Sequence, residues 1–200
     1  MRAITYATYG APSVLEVADV PKPKPGPGDV LIRVRAAEAT KSDTELRSFR
    51  YSVMWFWLPL RIAMGITRPR RQILGGYFAG EVVETGPGTK RLNTGDRVFG
   101  SAGLRLGAYG EYVALPERSP IALMPERMTF EEAAAVPLGG LNALHFMRLA
   151  AVQPGESVLV NGAGGVIGAH GVQIAKMMGA EVTAVDHGDK KPLLDSIGAD

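Results

Sequence analysis

Residues 156–186 read ESVLVNGAGGVIGAHGVQIAKMMGAEVTAVD. An apolar run, Val158, Leu159 and Val160, meets glycines at 162, 164, 165 and 168. A helical pattern follows and stops at Gly179. A second apolar run over 182–185 ends in Asp186. Strand, tight turn, helix, strand and acid, in that order, open a dinucleotide-binding fold. The chemistry explains the residue types. A pyrophosphate needs donors, and a helix N-terminus offers unpaired N–H groups at the positive end of its dipole. Backbone must come close to phosphate, so glycine is favoured there.

A strict G-x-G-x-x-G from Gly162 would need glycine at 167, which is Ile167. The better register is Gly162, Gly165 and Gly168. The phosphate candidates are therefore Gly162, Ala163, Gly164, Gly165, Val166, Ile167 and Gly168. Ile167, Gly171, Ile174 and Met178 fall on one helical face and support a helix after the turn. Asp186 lies eighteen residues past Gly168, where an acid accepts hydrogen bonds from a ribose diol and favours NAD. His187 is grouped with it. Lys190 and Lys191 follow and offer partners for a 2′-phosphate, which favours NADP. The competing reading is a glycine-rich loop before an ordinary core helix.

Composition narrows the classes. Two hundred residues suggest one or two domains. A net charge of +2 gives no argument for nucleic acid. Cysteine is absent, which rules out disulfides, thiolate chemistry and cysteine-ligated zinc. The N-terminal MRAITYATYG lacks the apolar core of a signal peptide. No segment reaches the ~18 apolar residues of a membrane span. The expectation is a soluble cytoplasmic protein.

The first 120 or so residues are β-rich. Strands are expected at 2–6, 14–17, 30–36, 79–85, 97–100 and 111–114, with glycine turns between them, as in a small barrel. PKPKPGPGD, residues 21–29, reads as an extended linker. From Thr129 the pattern turns helical. Thr129 and Glu132 have capping-box spacing, and a helical run broken at Pro137 reaches about residue 151.

Many collinear stretches together resemble the zinc-independent quinone oxidoreductase branch of the medium-chain dehydrogenase/reductase superfamily. They are MRAITYATYGAPSVLEV, DVLIRVRA, ILGGYFAGEVVETG, GDRVFG, AYGEYVALPE, EEAAAVPLGGLNALHFM, the 156–186 unit and SIGAD. The resemblance implies a mixed α+β and α/β chain. A GroES-like β-barrel catalytic domain (1–125) precedes a connecting helix (126–153) and the start of a Rossmann cofactor-binding domain (154–200). It implies NADP or NAD as cofactor, many members using NADPH, and hydride transfer to or from a small apolar carbonyl or quinone. A homo-oligomer is expected.

Zinc-dependent relatives place a cysteine near Lys41 and a His–Glu pair at Gly76 and Tyr77, and none of these ligands is present. A catalytic zinc needs about three protein ligands. His145, His170 and His187 are scattered, so no metal site is expected. Without a Lewis acid, hydrogen-bond donors must stabilise the developing oxyanion. The resemblance places Thr40 and Tyr51 as those catalytic donors and turns Asn142 toward the cofactor. Members often have asparagine at the position of Thr40. The structural alternative for Thr40 is an N-cap of the TKSDTELR helix. For Asn142 it is a polar residue on a buried helix face.

Residues 54–71, MWFWLPLRIAMGITRPRR, are unusual: both tryptophans of the chain lie here, with Arg68, Arg70 and Arg71 at the end. Three readings stand: a lid over an apolar pocket, a membrane-interface segment, or a packed insertion with a solvated end. The chain stops at Asp200 with the cofactor fold barely begun. Two parallel strands cannot bury both faces, so either the chain is a truncated part of a longer enzyme, which is the expectation, or it borrows a partner's strands. On its own this part would turn over poorly and associate through the 182–185 edge. A non-catalytic nucleotide-binding or scaffold module is the competing class.

Overall fold

The computed structural model describes residues 1–51 and 54–200, apart from the side chains of Met54 and Phe56. It divides into two compact units, Met1–Ala135 and Val136–Asp200. The division falls inside the helix that follows the β-rich region.

The first unit is built on five antiparallel strands in the order β6-β3-β4-β5-β7. They are β3 (Asp29–Ala37), β4 (Tyr77–Thr85), β5 (Arg97–Ser101), β6 (Tyr112–Pro116) and β7 (Ile121–Leu123). A separate pair joins β1 (Arg2–Thr5) to β2 (Glu16–Asp19). The expected strand at 14–17 starts later because Pro12–Val14 form a 3-10 turn, where proline's fixed φ suits the first position. β3 has register shifts between Leu31 and Ile32 and between Val34 and Ala36. Such bulges bend and twist a strand, as curling a sheet requires. Val30, Ile32, Phe78, Val82, Val98 and Leu115 form its core and are all fully buried. Gly80 fits where no side chain would, since a Cβ there would lie 2.2 Å from the carbonyl oxygen of Arg33 on β3.

Two helices cross from β3 to β4: α1 (Lys41–Ser48) and α2 (Met54–Met64). They bound a second cluster in which Tyr6, Phe49, Met64, Leu74 and Leu106 are buried. α3 (Phe130–Leu149) begins on the expected capping box. The Thr129 amide donates to Glu132 Oε2 at 2.8 Å, and the Glu132 amide donates to Thr129 Oγ1 at 3.2 Å. The helix does not break at Pro137 but runs through it for 20 residues. Proline forfeits one helical hydrogen bond. Ala133 and Ala134 on its N-terminal side and Ala143 on its C-terminal side are buried, so packing holds both halves.

In the second unit β8 (Ser157–Asn161) and β9 (Glu181–Val185) pair in parallel, with Ser157 opposite Glu181 and Asn161 opposite Val185. α4 (Val166–Met177) connects them, and α5 (Lys191–Ser196) follows. The buried residues of α4 are Gly171, Val172 and Ala175; Gly171 belongs to the expected face, and Ile174 and Met178 of that face are half-buried. Ile167 is 38% exposed. Val172 and Ala175 pack with Val182 and Leu194 in the core of this unit. On the free side of β9, the Val182 amide donates to Asp200 Oδ2 (2.7 Å) and Val182 O accepts from the Asp200 amide (2.9 Å). That part of the edge is therefore already paired.

Candidate functional site

The glycine turn lies between β8 and α4, and each glycine has its own reason. Gly162 has φ +75°, the left-handed region that glycine enters without cost. Its amide and that of Ala163 both donate to Val185 O, at 2.8 and 3.1 Å, which ties the turn to the end of β9. A Cβ on Gly168 would lie 2.2 Å from Gly162 O, so this glycine sets the approach of helix to turn. Gly165 is the N-cap of α4, and no side chain caps that helix. Among the described residues, the amides of Val166, Ile167 and Gly168 meet no acceptor. A Cβ on Gly165 would meet only Gly162 O, at 3.3 Å. Gly162, Gly165 and Gly168 also line a cleft of about 460 Å³, with Ala143, Phe146 and Met147 of α3 on its other side. The backbone donors fit an anionic group at this turn.

Asp186 ends β9 and reaches back to the turn. Its Oδ2 accepts from the Gly164 amide at 2.7 Å, and Oδ1 accepts from the His187 amide at 2.7 Å. Lys190 Nζ lies 3.0 Å from Oδ1. The His187 amide, then Lys190, then the Gly164 amide hold this carboxyl below the ordinary aspartate range. The Lys190 side chain lies over Gly164, whose Cβ would meet Lys190 Cδ at 2.4 Å. Of the other residues expected here, His187 turns its ring to Asp189 at 2.8 Å, and Lys191 pairs with Asp195 at 2.7 Å. Neither joins the turn through these contacts. Asn142 is half-buried and donates Nδ2–H to Leu138 O at 2.7 Å, an ordinary bond within α3.

The first unit holds the other expected residues. Thr40 is the N-cap of α1 and is buried. Its hydroxyl donates to Asp43 Oδ2 at 2.6 Å and accepts from the Asp43 amide at 3.2 Å. Asp43 also accepts from the Thr40 amide at 2.9 Å, and its Oδ1 accepts from the Gly75 amide at 3.1 Å. The threonine proton is thus already committed. Asp43 was missed as a site residue, although the T-x-x-D spacing that marks it is visible in the sequence. Burial, and then nearby carboxylates including that of Asp43, push the Tyr109 phenol up. Thr40, Asp43 and Tyr109 border an open cleft of about 850 Å³ whose walls are mostly apolar.

Tyr51 is not among the residues lining that cleft. It packs edge-on to Phe49, with ring centroids 5.3 Å apart. Its hydroxyl is buried and has no hydrogen-bond partner among the described residues. Burial, and then the charge of Glu45, push the phenol up to about 12. A buried hydroxyl without a partner costs free energy that a ligand acceptor would recover. Among the described residues, no three histidine or acidic side chains come together as a metal site.

Comparison with known proteins follows the same outline. The alcohol dehydrogenase GroES-like domain matches residues 26–126. Polyketide synthase GfsB of Streptomyces halstedii is 42% identical over 140 residues, covering 70% of this chain and 2% of that protein. The quinone oxidoreductase of Pseudomonas aeruginosa is 34% identical over 182 residues, covering 90% of this chain and 51% of that protein. The solved quinone oxidoreductase from Coxiella burnetii has a TM-score of 0.86 at 30% identity, over 100% of this chain and 61% of that one. Mycobacterial Rv1454c complexed with NADPH has a TM-score of 0.80 at 32% identity, over 100% of this chain and 57% of that one. The chain spans about half the length of the quinone oxidoreductase relative.

Proposed function

The chain belongs to the alcohol dehydrogenase GroES-like domain family, and from that premise we propose that it serves a zinc-independent, NAD(P)H-dependent oxidoreductase. Hydride would pass between the nicotinamide and an apolar quinone, enone or carbonyl. The observation that carries the reading is the uncapped start of α4, where Gly165, Val166, Ile167 and Gly168 line a cleft. The quinone oxidoreductase relatives and the NADPH-bound neighbour support it.

A bound nicotinamide cofactor supplies the hydride chemistry itself. The residues of this chain bind and orient. The turn from Gly162 to Gly168 would hold the pyrophosphate on backbone donors. Asp186 and Lys190 form the adjoining ribose end, with a carboxylate for a free diol and an ammonium for a 2′-phosphate. The two side chains neutralise one another, so NADP and NAD both remain compatible with them. His187 and Lys191 are engaged elsewhere, and the proposal leaves them outside the site. Tyr51 is the donor assigned to the substrate oxygen. Its phenol stays neutral to about 12 and has an unused O–H. Thr40 takes a positioning role, because its proton is given to Asp43.

Single-turnover mixing with reduced cofactor and a water-soluble quinone tests the reading. Loss of reduced-nicotinamide absorbance in a burst, retained after chelation, is the expected result. Cofactor binding without any hydride loss in the full-length protein would instead favour a non-catalytic nucleotide-binding module.

A further inference from the structure

Residues 46–80 contain six arginines, Arg47, Arg50, Arg61, Arg68, Arg70 and Arg71, and no acidic side chain. The other residues hold 16 basic and 20 acidic side chains, so this one segment carries +6 and everything else −4. Among the described residues, none of the six arginines makes an ion pair.

The same segment contains α2, whose outward face is apolar. Trp55 is 81% exposed, Leu58 59% and Ile62 52%. They recur at i, i+3 and i+7 and so share one side of the helix. Pro59 and Ala63 are exposed beside them. Leu60 and Met64 pack against the buried Tyr6 and Phe49 cluster. A surface helix ordinarily turns its apolar stripe to the core and a polar face to water. α2 is apolar on both sides.

The cations are fastened to the end of that helix. Arg61 stacks over the Tyr9 ring at 4.1 Å and the Phe49 ring at 4.3 Å, and its Nε–H donates to Ile66 O at 2.7 Å. The Arg70 amide donates to Met64 O at 2.8 Å. The Tyr9 hydroxyl donates to Gly65 O at 2.9 Å. Gly65 has φ +121°, and a Cβ there would lie 2.1 Å from Arg68 O, so only glycine permits the fold-back. The exposed Arg68 and Arg70, followed by Arg71, therefore sit on a turn strapped to α2.

We propose that α2 and the 65–71 turn dock the protein on an anionic lipid bilayer. The helix lies in the plane of the interface with Trp55, Leu58 and Ile62 in the acyl boundary and the exposed Arg68, Arg70 and Arg71 among the headgroups. Its eleven residues make it a surface element; at ~16 Å it is about half the hydrocarbon thickness. A protein partner would need an apolar groove rimmed by carboxylates in register with this helix. A bilayer presents hydrocarbon under negative charge everywhere, and tryptophan partitions to that boundary. The proposal goes beyond the oxidoreductase reading and does not depend on it.

The test uses the chain's own probes. Its two tryptophans are Trp55 and Trp57, so tryptophan emission reports on α2 alone. The full chain is floated with vesicles of phosphatidylcholine, with and without phosphatidylglycerol, and with brominated acyl chains as quenchers. Expected are flotation on anionic vesicles only, blue-shifted and bromine-quenched emission, and release by salt. Replacing Arg68, Arg70 and Arg71 together by glutamine weakens binding roughly fivefold per arginine removed. The Leu58→Asp/Ile62→Asp double variant abolishes it. Both variants change exposed side chains, and circular dichroism with a urea melt verifies that each is folded. Absence of flotation, or flotation unchanged in both folded variants, overturns the proposal. Tryptophan shielding that grows with protein concentration in the absence of lipid also overturns it and assigns the face to a second copy of the chain.

Discussion

Gly168→Ala separates the structural glycine of the turn from the phosphate-facing one. A Cβ at 168 would sit 2.2 Å from Gly162 O, 2.7 Å from Ala163 Cα and 2.9 Å from Ala163 C. All three are backbone atoms, so no rotamer change relieves the contact. Ordinary non-bonded separation is about 3.5 Å, and α4 must retreat by roughly 1 Å. Overpacking of this kind costs about 1–3 kcal/mol; with rigid neighbours the upper half of that range applies. For a chain of this size the midpoint should fall by roughly 4–12 °C. The control is Gly165→Ala, whose Cβ meets only Gly162 O at 3.3 Å; it should cost less than about 1 kcal/mol. Gly165→Leu should leave the fold nearly intact but fill the space before the α4 amides, weakening dinucleotide binding at least about tenfold, or ~1.4 kcal/mol. Calorimetry and a fluorescence titration with NADH and NADPH on the same preparations measure both quantities. An unchanged midpoint for Gly168→Ala, or parental affinity for Gly165→Leu, would refute the division of roles.

Three further outcomes are expected. Tyr51→Phe removes a buried hydroxyl without a partner, so stability should hold or rise while hydride transfer in the full-length protein falls about tenfold or more. Because the folded Tyr51 phenol titrates near 12 and an unfolded one near ~10, its contribution is complete below about pH 10 and is lost as pH rises toward 12; the phenylalanine variant should flatten that part of an alkaline denaturation curve. Asp43→Ala orphans the Thr40 and Gly75 amides and the Thr40 hydroxyl and should destabilise the first unit by about 3–5 kcal/mol, whereas a loss under about 1 kcal/mol in a urea melt would contradict the burial of that carboxylate. Lys190→Ala leaves Asp186 unneutralised and should shift the ratio of affinities toward NADH by roughly tenfold; Asp186→Asn should shift it the other way, and a constant ratio in both would remove this pair from cofactor choice.

Much of this was legible because local patterns carried it. The 156–186 unit declared strand, turn, helix and strand through periodicity and glycine placement, and T-x-x-E marked the start of α3. What stayed hidden depends on neighbours distant in sequence. Pro137 signals a helix break on local grounds, yet packing on both sides carries α3 through it. The stripe of α4 was legible in part: Gly171 lies on it as expected, but Val172 and Ala175 are buried while Ile167 is exposed, because the partners that cover them on β8, β9 and α5 are distant in sequence. Asp186 advertises an acid for a ribose, but its bond to the Gly164 amide spans 22 residues and follows from no local rule. The commitment of the Thr40 proton to Asp43 was within reach, since a capping box spans only three residues.

Uneven charge also governs how the protein should behave on a column. The sequence pI is about 8.9, and conventional practice would expect release from a cation exchanger near that pH. Arginine does not lose its proton there. The segment 46–80 therefore keeps its six charges when the chain as a whole sums to zero. A resin bead responds to the densest local patch within a screening length of ~10 Å at 0.1 M salt, not to a total over the molecule. The protein should bind sulfonate media at and above its isoelectric point, elute late and over a broad salt range, and do so for reasons that titration of its histidines or carboxylates leaves untouched.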